Sequence, residues 1–151
     1  MISDTDWMAV ALEQARLAAS LGEVPVGAVV VRNDSLISMA HNRREGDNNP
    51  VAHAEVLAIQ AASARLGSWR LTDTTLYVTL EPCPMCAGAI LLARIPRVVY
   101  AATDPKAGAV DSLYCLLRDH RLNHRTEVTA GVLWKESREL LQSFFRSRRE
   151  K

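Results

Sequence analysis

Thr75-Leu76-Tyr77-Val78-Thr79-Leu80-Glu81-Pro82-Cys83-Pro84-Met85-Cys86 changes character halfway along. Thr75 to Leu80 alternates β-branched, aromatic and aliphatic residues and reads as a strand. Pro84 suits the first turn of a helix, where its missing N–H is not needed, and that helix carries Ala87 to Ala93. Arg97 to Ala102 reads as the next strand. Upstream, a helix from about Val51 to Leu66 follows a polar loop, Asn42 to Pro50. Before it come two strands, Val24 to Arg32 and Leu36 to His41, joined by a turn at Asn33-Asp34. Trp7, Val10, Ala11, Ala15 and Ala18 recur at helical spacing, with Ser3 or Asp4 as N-cap and Gly22 as a stop. Downstream of the Thr103–Gly108 loop, Glu127 to Thr129 is a weakly patterned fifth strand, and a helix runs from about Lys135 to Arg148. Strands alternating with helices predict an α/β fold, a three-layer α/β/α domain around a central mixed five-stranded sheet. No repeat, low-complexity stretch or linker interrupts it, so residues 1–151 read as one domain.

Composition narrows the class. The chain has 151 residues, 48% apolar and 23% charged, which is ordinary for a globular protein and enough for a sizeable core. No apolar run reaches the roughly 20 residues that span a membrane, and Met1-Ile2-Ser3-Asp4 lacks the basic-then-apolar order of a secretory signal. Three cysteines, two of them in one motif, offer no disulfide framework, which predicts a reducing cytoplasm. Asn33-Asp34-Ser35, a sequon by pattern, is then a turn. Net charge is +1, but it is unevenly spread. Residues 1–31 hold Arg16 against Asp4, Asp6, Glu13 and Glu23, whereas the chain ends in Arg146-Ser147-Arg148-Arg149-Glu150-Lys151. A basic tail is compatible with phosphate contacts and equally with a solvated helix end whose dipole favours cations.

Chemistry concentrates in His53-Ala54-Glu55 and Pro82-Cys83-Pro84-Met85-Cys86. One imidazole and two thiolates are the ligand set Zn2+ prefers, and three protein ligands leave a fourth tetrahedral position for water. The preference for Zn2+ over Fe2+ rests on ligand type, and metal analysis tests it. Both motifs fall at predicted helix starts, where unpaired N–H groups and the positive dipole end favour thiolate at Cys83 and Cys86. His53 and Glu55 stand only two residues apart, so both look into one pocket only from a first turn. Glu55 is a proton carrier rather than a soft ligand. A metal-acidified water with Glu55 as proton shuttle would attack an electrophilic carbon of a substrate. Cys-x-x-Cys on its own also fits a redox pair or a purely structural zinc site, although Pro82 and the upstream His-x-Glu disfavour the first. Cys115, within Leu113-Tyr114-Cys115-Leu116-Leu117, reads as a buried apolar thiol. His41 and His120 lack a motif.

His-x-Glu followed by Pro-Cys-x-x-Cys resembles the signature of zinc-dependent nucleobase deaminases. The resemblance extends to Glu23-Val24-Pro25-Val26-Gly27-Ala28, Asn42-Arg43-Arg44, Val78-Thr79-Leu80-Glu81-Pro82-Cys83, Asp104-Pro105-Lys106-Ala107-Gly108-Ala109, Asn123-His124-Arg125 and Phe144-Phe145-Arg146-Ser147-Arg148-Arg149. In that order and over nearly the whole chain, these segments are similar to the bacterial tRNA adenosine deaminases. The metal motifs are common to the superfamily; the last three segments are the more specific.

That resemblance implies a cytidine deaminase-like fold and a homodimer with one Zn2+ per subunit. The implied reaction converts adenosine to inosine at the wobble position of a tRNA anticodon stem–loop, that of an arginine tRNA. It makes His53, Cys83 and Cys86 the metal ligands, Glu55 the catalytic proton shuttle and Asn42 a pocket residue for the flipped nucleotide. Asp104, Lys106, Asn123, Phe145 and Arg149 fall on or beside anticodon-loop contacts. A splayed base suits a loop-rimmed pocket, and Phe144 or Phe145 offers a stacking face, one of them being expected in the core. Two rivals remain. One is a guanine or other free-base or nucleotide deaminase, since guanine deaminases share His-Ala-Glu and Pro-Cys-Pro-Met-Cys; against it stands the Arg-rich last helix. The other is an inactive zinc-containing RNA-binding subunit, which would be expected to lack Glu55.

Overall fold

The computed structural model describes residues 1–149. Of the basic tail, Glu150 and Lys151 lie outside the described residues. The chain runs α1 (Asp4–Ser20), β1 (Gly27–Arg32), β2 (Ser35–His41), α2 (Ala54–Leu66), β3 (Thr74–Leu80), α3 (Pro84–Leu92), β4 (Arg97–Ala102), β5 (Glu127–Ala130) and α4 (Trp134–Arg149), with a short 3-10 turn at Leu116–Arg118 before β5.

The five strands form one sheet in the order β2-β1-β3-β4-β5. β1 is antiparallel to both β2 and β3, while β3, β4 and β5 run parallel, so the sheet is mixed. Strand side chains alternate between two apolar layers, as the pleat requires. Ala28, Val30, Leu76, Val78, Val98 and Tyr100 face α2 and α3, where Ala54, Ala58, Ala62, Ala87 and Ile90 are buried. Val29, Val31, Tyr77, Val99 and Ala101 face Trp7, Met8 and Ala11 of α1. Small residues on α2 let that helix lie close to the sheet. On the other side α1 crosses β1 at Gly27, where a Cβ would collide with the backbone of Ala11 and Ala15.

Local chemistry sets the boundaries. Ser3 and Asp6 form a reciprocal capping box at the start of α1, satisfying two otherwise orphaned N–H groups. Asn33 and Asp34 both have positive φ, 51° and 58°, the two-residue hairpin geometry whose twist matches the flanking strands. β1 begins at Gly27 rather than at the expected Val24, because Pro25 has no N–H to give a ladder and the Val26 N–H is taken by Val24 O. α2 begins three residues later than the sequence suggests, with His53 extended as its N-cap (φ −75°, ψ 149°).

Asp4 ties the first helix to the sheet. Its carboxylate accepts from both terminal nitrogens of Arg97 (2.9 and 2.7 Å) and from the Tyr77 hydroxyl (2.7 Å). The Arg97 hydrogen bonds hold its pKa below the usual carboxylate value. A depressed folded pKa contributes stability above the unfolded pKa, and that stability is lost as pH falls through the folded value. Asp4→Ala is therefore expected to lower stability by about 1–2 kcal/mol at neutral pH, discounted for partial exposure. Denaturant melts should show the difference shrinking below about pH 4.

Candidate metal centre and its cavity

The strand-to-helix junction after β3 delivers Cys83 as the extended N-cap of α3 (φ −76°, ψ 174°), with Pro84 in the first turn and Cys86 one turn deeper. The N-cap of α2 delivers His53 to the same place. Its Nδ1 lies 3.6 Å from Cys83 Sγ and 3.4 Å from Cys86 Sγ, and the three ligand atoms all lie within 4.8 Å of one another. Tetrahedral zinc with ordinary Zn–N and Zn–S bonds requires an N···S separation of about 3.6 Å. The donor set therefore fits such an ion in both chemistry and spacing. Among the described residues it is the one His/Cys/Asp/Glu cluster arranged in this way.

The electrostatics agree. A hydrogen bond from Cys86 is the chief reason the Cys83 thiol falls to about 4, with His53 adding to it against burial. The same pairing, with burial, pushes Cys86 upward. Its contact with Cys83 raises His53. The triad thus holds protons that a cation displaces on binding. Glu55, in the first turn of α2, is 4% exposed, and burial is the main cause lifting its carboxyl above the usual range.

A cavity of about 210 Å³ opens on this cluster, lined among others by Asn42, His53, Glu55, Cys83, Asp104 and Ala107. It lies at the carboxyl ends of β3 and β4, where ligands bind in open α/β sheets. Its volume is below the 300–1,000 Å³ of drug-sized pockets and matches one small ring system. Larger hollows, about 450 Å³ by Arg94 and His124 and about 310 Å³ beside α4, include none of the metal-cluster residues.

Six of the expected site residues thus converge: His53, Cys83, Cys86, Glu55, Asn42 and Asp104. Asn42 is buried and bridges two backbone segments, donating to Val24 O and accepting from Arg44 N–H (both 3.2 Å), so its turn chemistry and its place in the wall coexist. Asp104 Oδ1 accepts from the N–H groups of Lys106 and Ala107, folding the loop so that Lys106 is exposed. Asn123, Phe145 and Arg149 are exposed and line no part of this cavity. Two readings need correction. Cys115 is exposed, because Leu113 to Cys115 run over the surface and only Leu117 of that run is fully buried. Neither phenylalanine is buried: Phe144 is half-buried with Arg148 stacked 4.8 Å over its ring, and Phe145 is 45% exposed. Arg148 also donates to Gly22 O. Two acids escaped assignment from the sequence. Glu81 and Glu23 are 2% and 3% exposed, and each accepts backbone N–H groups from a loop on the cavity wall. Their signal was a charged residue inside an otherwise apolar segment.

The MafB19-like deaminase family model matches residues 2–149. Over 151 residues the chain is 50% identical to the tRNA-specific adenosine deaminase of Bacillus subtilis (strain 168), covering all of this chain and 94% of that one. The chain belongs to the tRNA-specific adenosine deaminase family. It is a deaminase, and its enzyme class is hydrolase. A structure solved in work on A-to-I editing by wobble-position tRNA deaminases superposes with a TM-score of 0.88 at 44% identity, covering 91% of this chain and 99% of that one. The guanine deaminase of Nitrosomonas europaea superposes with a TM-score of 0.83 at 26% identity, covering 95% of this chain and 85% of that one. The family's shared fold is the mixed five-stranded sheet with helices on both faces. No helix among the described residues is long and apolar enough to cross a membrane.

Proposed function

We propose that this chain is a zinc-dependent, cytoplasmic tRNA adenosine deaminase that converts the wobble adenosine of an arginine-tRNA anticodon to inosine, as a single-domain protein working as a homodimer. The observation that carries the reading is the His53/Cys83/Cys86 triangle with buried Glu55 beside it, at the foot of a cavity sized for one base. Full-length likeness to tRNA deaminases supports the RNA substrate, and a set of three cysteines, two of them in the metal pair, is the usage expected of a reducing compartment.

When bound by His53, Cys83 and Cys86, zinc supplies an acidified water. Glu55, buried in the first turn of α2, takes one proton of the attacking water and passes it to a ring nitrogen as the oxygen bonds the amine-bearing carbon. It then takes the proton of the added hydroxyl and delivers it to the departing amine as the C–N bond breaks. Ammonia leaves and a carbonyl remains. Asn42 and Asp104 line the wall against which the flipped base rests. Lys106, Asn123, Phe145 and Arg149, all exposed, are assigned to contacts with the anticodon loop, with the Phe145 ring offering a stacking face.

The test is incubation of a synthetic arginine-tRNA anticodon stem–loop bearing wobble adenine, followed by nucleoside analysis, with free adenosine, guanine and cytidine in parallel. Inosine from the stem–loop alone supports the proposal. Xanthine from guanine beside an untouched stem–loop would replace it with the free-base reading, which the guanine deaminase superposition keeps second. Metal and RNA binding without ammonia release would replace it with the inactive-subunit reading. If Lys106 and Arg149 contact phosphates, KM for the stem–loop should rise roughly with the square of salt concentration. Arg149→Ala should flatten that slope by about one unit; a slope unchanged in the variant removes Arg149 from the interface.

A further inference from the structure

We propose that Glu81 is a positioning residue that registers the substrate-side wall of the cavity against the metal loop. Its backbone sits at the end of β3, directly before Pro82-Cys83, with its N–H on Ala102 O. Its carboxylate is turned across to the 104–112 segment. Oε1 accepts from the Asp104 N–H (2.9 Å) and the Ser112 hydroxyl (2.5 Å). Oε2 accepts from the N–H groups of Val110 (3.1 Å), Asp111 (2.8 Å) and Ser112 (2.9 Å). One buried carboxylate thus satisfies four main-chain donors of a segment with no strand or helix to satisfy them. Gly108 fits beneath it because a Cβ there would overlap the carboxyl group. The Ala109 N–H on Pro82 O (2.8 Å) adds a second tie between the same two loops.

The consequence is mechanical. Asp104 and Ala107 form part of the cavity wall, and the Asp104 N–H is itself a Glu81 ligand. The spacing of metal loop and wall is therefore held chiefly by this side chain, with the Ala109–Pro82 bond beside it. All five donors come from the wall segment and none from the metal ligands, so loss of the clamp separates wall from metal without dismantling the ligand triangle. That wall is where the base rests, so displacing it falls mainly on substrate binding, where a loss on the order of 100-fold corresponds to about 2.8 kcal/mol.

Glu81→Gln is the sharpest probe. Either orientation of its amide places an NH2 against at least two of the same donors. In the metal-loaded protein we expect zinc content and the Co2+-substituted spectrum to match wild type. Exchange protection should fall at the Asp104, Val110, Asp111 and Ser112 amides. On the stem–loop, kcat/KM should fall about 100-fold, mostly through KM. Gly108→Ala leaves Glu81 chemically intact while prying the loops apart, and should reproduce the same KM-dominated loss. Ser112→Ala removes one donor and should fall between it and wild type. Loss of zinc in Glu81→Gln, or unchanged exchange at those four amides, overturns the proposal. So does a Gly108→Ala enzyme with wild-type KM. The turnover arm rests on the proposed reaction, whereas the exchange and metal arms do not, so failure of the reaction leaves the clamp separately tested.

Discussion

Glu55→Ala and Glu55→Gln should each retain a full complement of zinc and lose at least 10²–10⁴-fold in kcat, the share that a positioned proton-transfer group supplies. Glutamine preserves the shape and one acceptor of the side chain but cannot carry the proton between water, ring nitrogen and leaving amine. If glutamine were nearly as active as glutamate, Glu55 would be acting through packing or hydrogen bonding alone, and the role assigned to it would fail. Stability gives an independent readout. Glu55 is almost wholly buried and its carboxyl is raised chiefly by that burial, so the folded protein bears a desolvation cost at this position. The neutral isostere removes it. A melting temperature for Glu55→Gln equal to or above that of wild type, measured alongside the lost turnover, would mark the residue as kept for chemistry at the expense of the fold. A sharp drop in melting temperature would instead place it among the structural groups.

Residue pattern carried the sheet and the ligands because both are written locally. The alternation Val29/Val30/Val31 and Leu76/Tyr77/Val78 serves two apolar layers, and those layers are what the structure contains. His53, Cys83 and Cys86 were legible because the His-x-Glu and Pro-Cys-x-x-Cys spacings put all three at helix starts, His53 and Cys83 as N-caps and Cys86 in the first turn. The misreadings are long-range. Cys115 sits among Leu113, Tyr114, Leu116 and Leu117, an apolar run with no period, and only the path of the chain over the surface decides that Leu117 enters the core while Cys115 does not. The Phe144-Phe145 pair is an apolar, aromatic anchor by residue type, but on α4 the one fully buried residue is Ser137, whose hydroxyl bonds Thr79 O. Composition therefore gave the wrong anchor for that helix. Glu81 and Glu23 were invisible as loop ties because their partners are main-chain N–H groups some 20 to 30 residues away, and no side chain advertises a backbone donor.

His53→Ala tests the other half of the centre and separates metal from fold. As the N-cap of α2, His53 makes no side-chain capping hydrogen bond, so alanine there removes a ligand without removing a cap, whose loss would cost about 1 kcal/mol. Two thiolates alone hold zinc far more weakly than three ligands, and the variant should purify with under about a tenth of the wild-type metal and no measurable deamination. Binding to the folded state alone stabilises it by RT ln(1 + [L]/Kd), about 4 kcal/mol at 1,000 times Kd. The melting temperature should therefore fall by several degrees relative to loaded wild type. The decisive comparison adds a chelator to both proteins. Wild type should then melt close to His53→Ala, since the two differ chiefly by the ion. A variant that still binds stoichiometric zinc would require a ligand other than this imidazole. A gap in melting temperature that persists in chelator would mean that His53 supports the α2 start through its own packing, and the metal would no longer account for the loss.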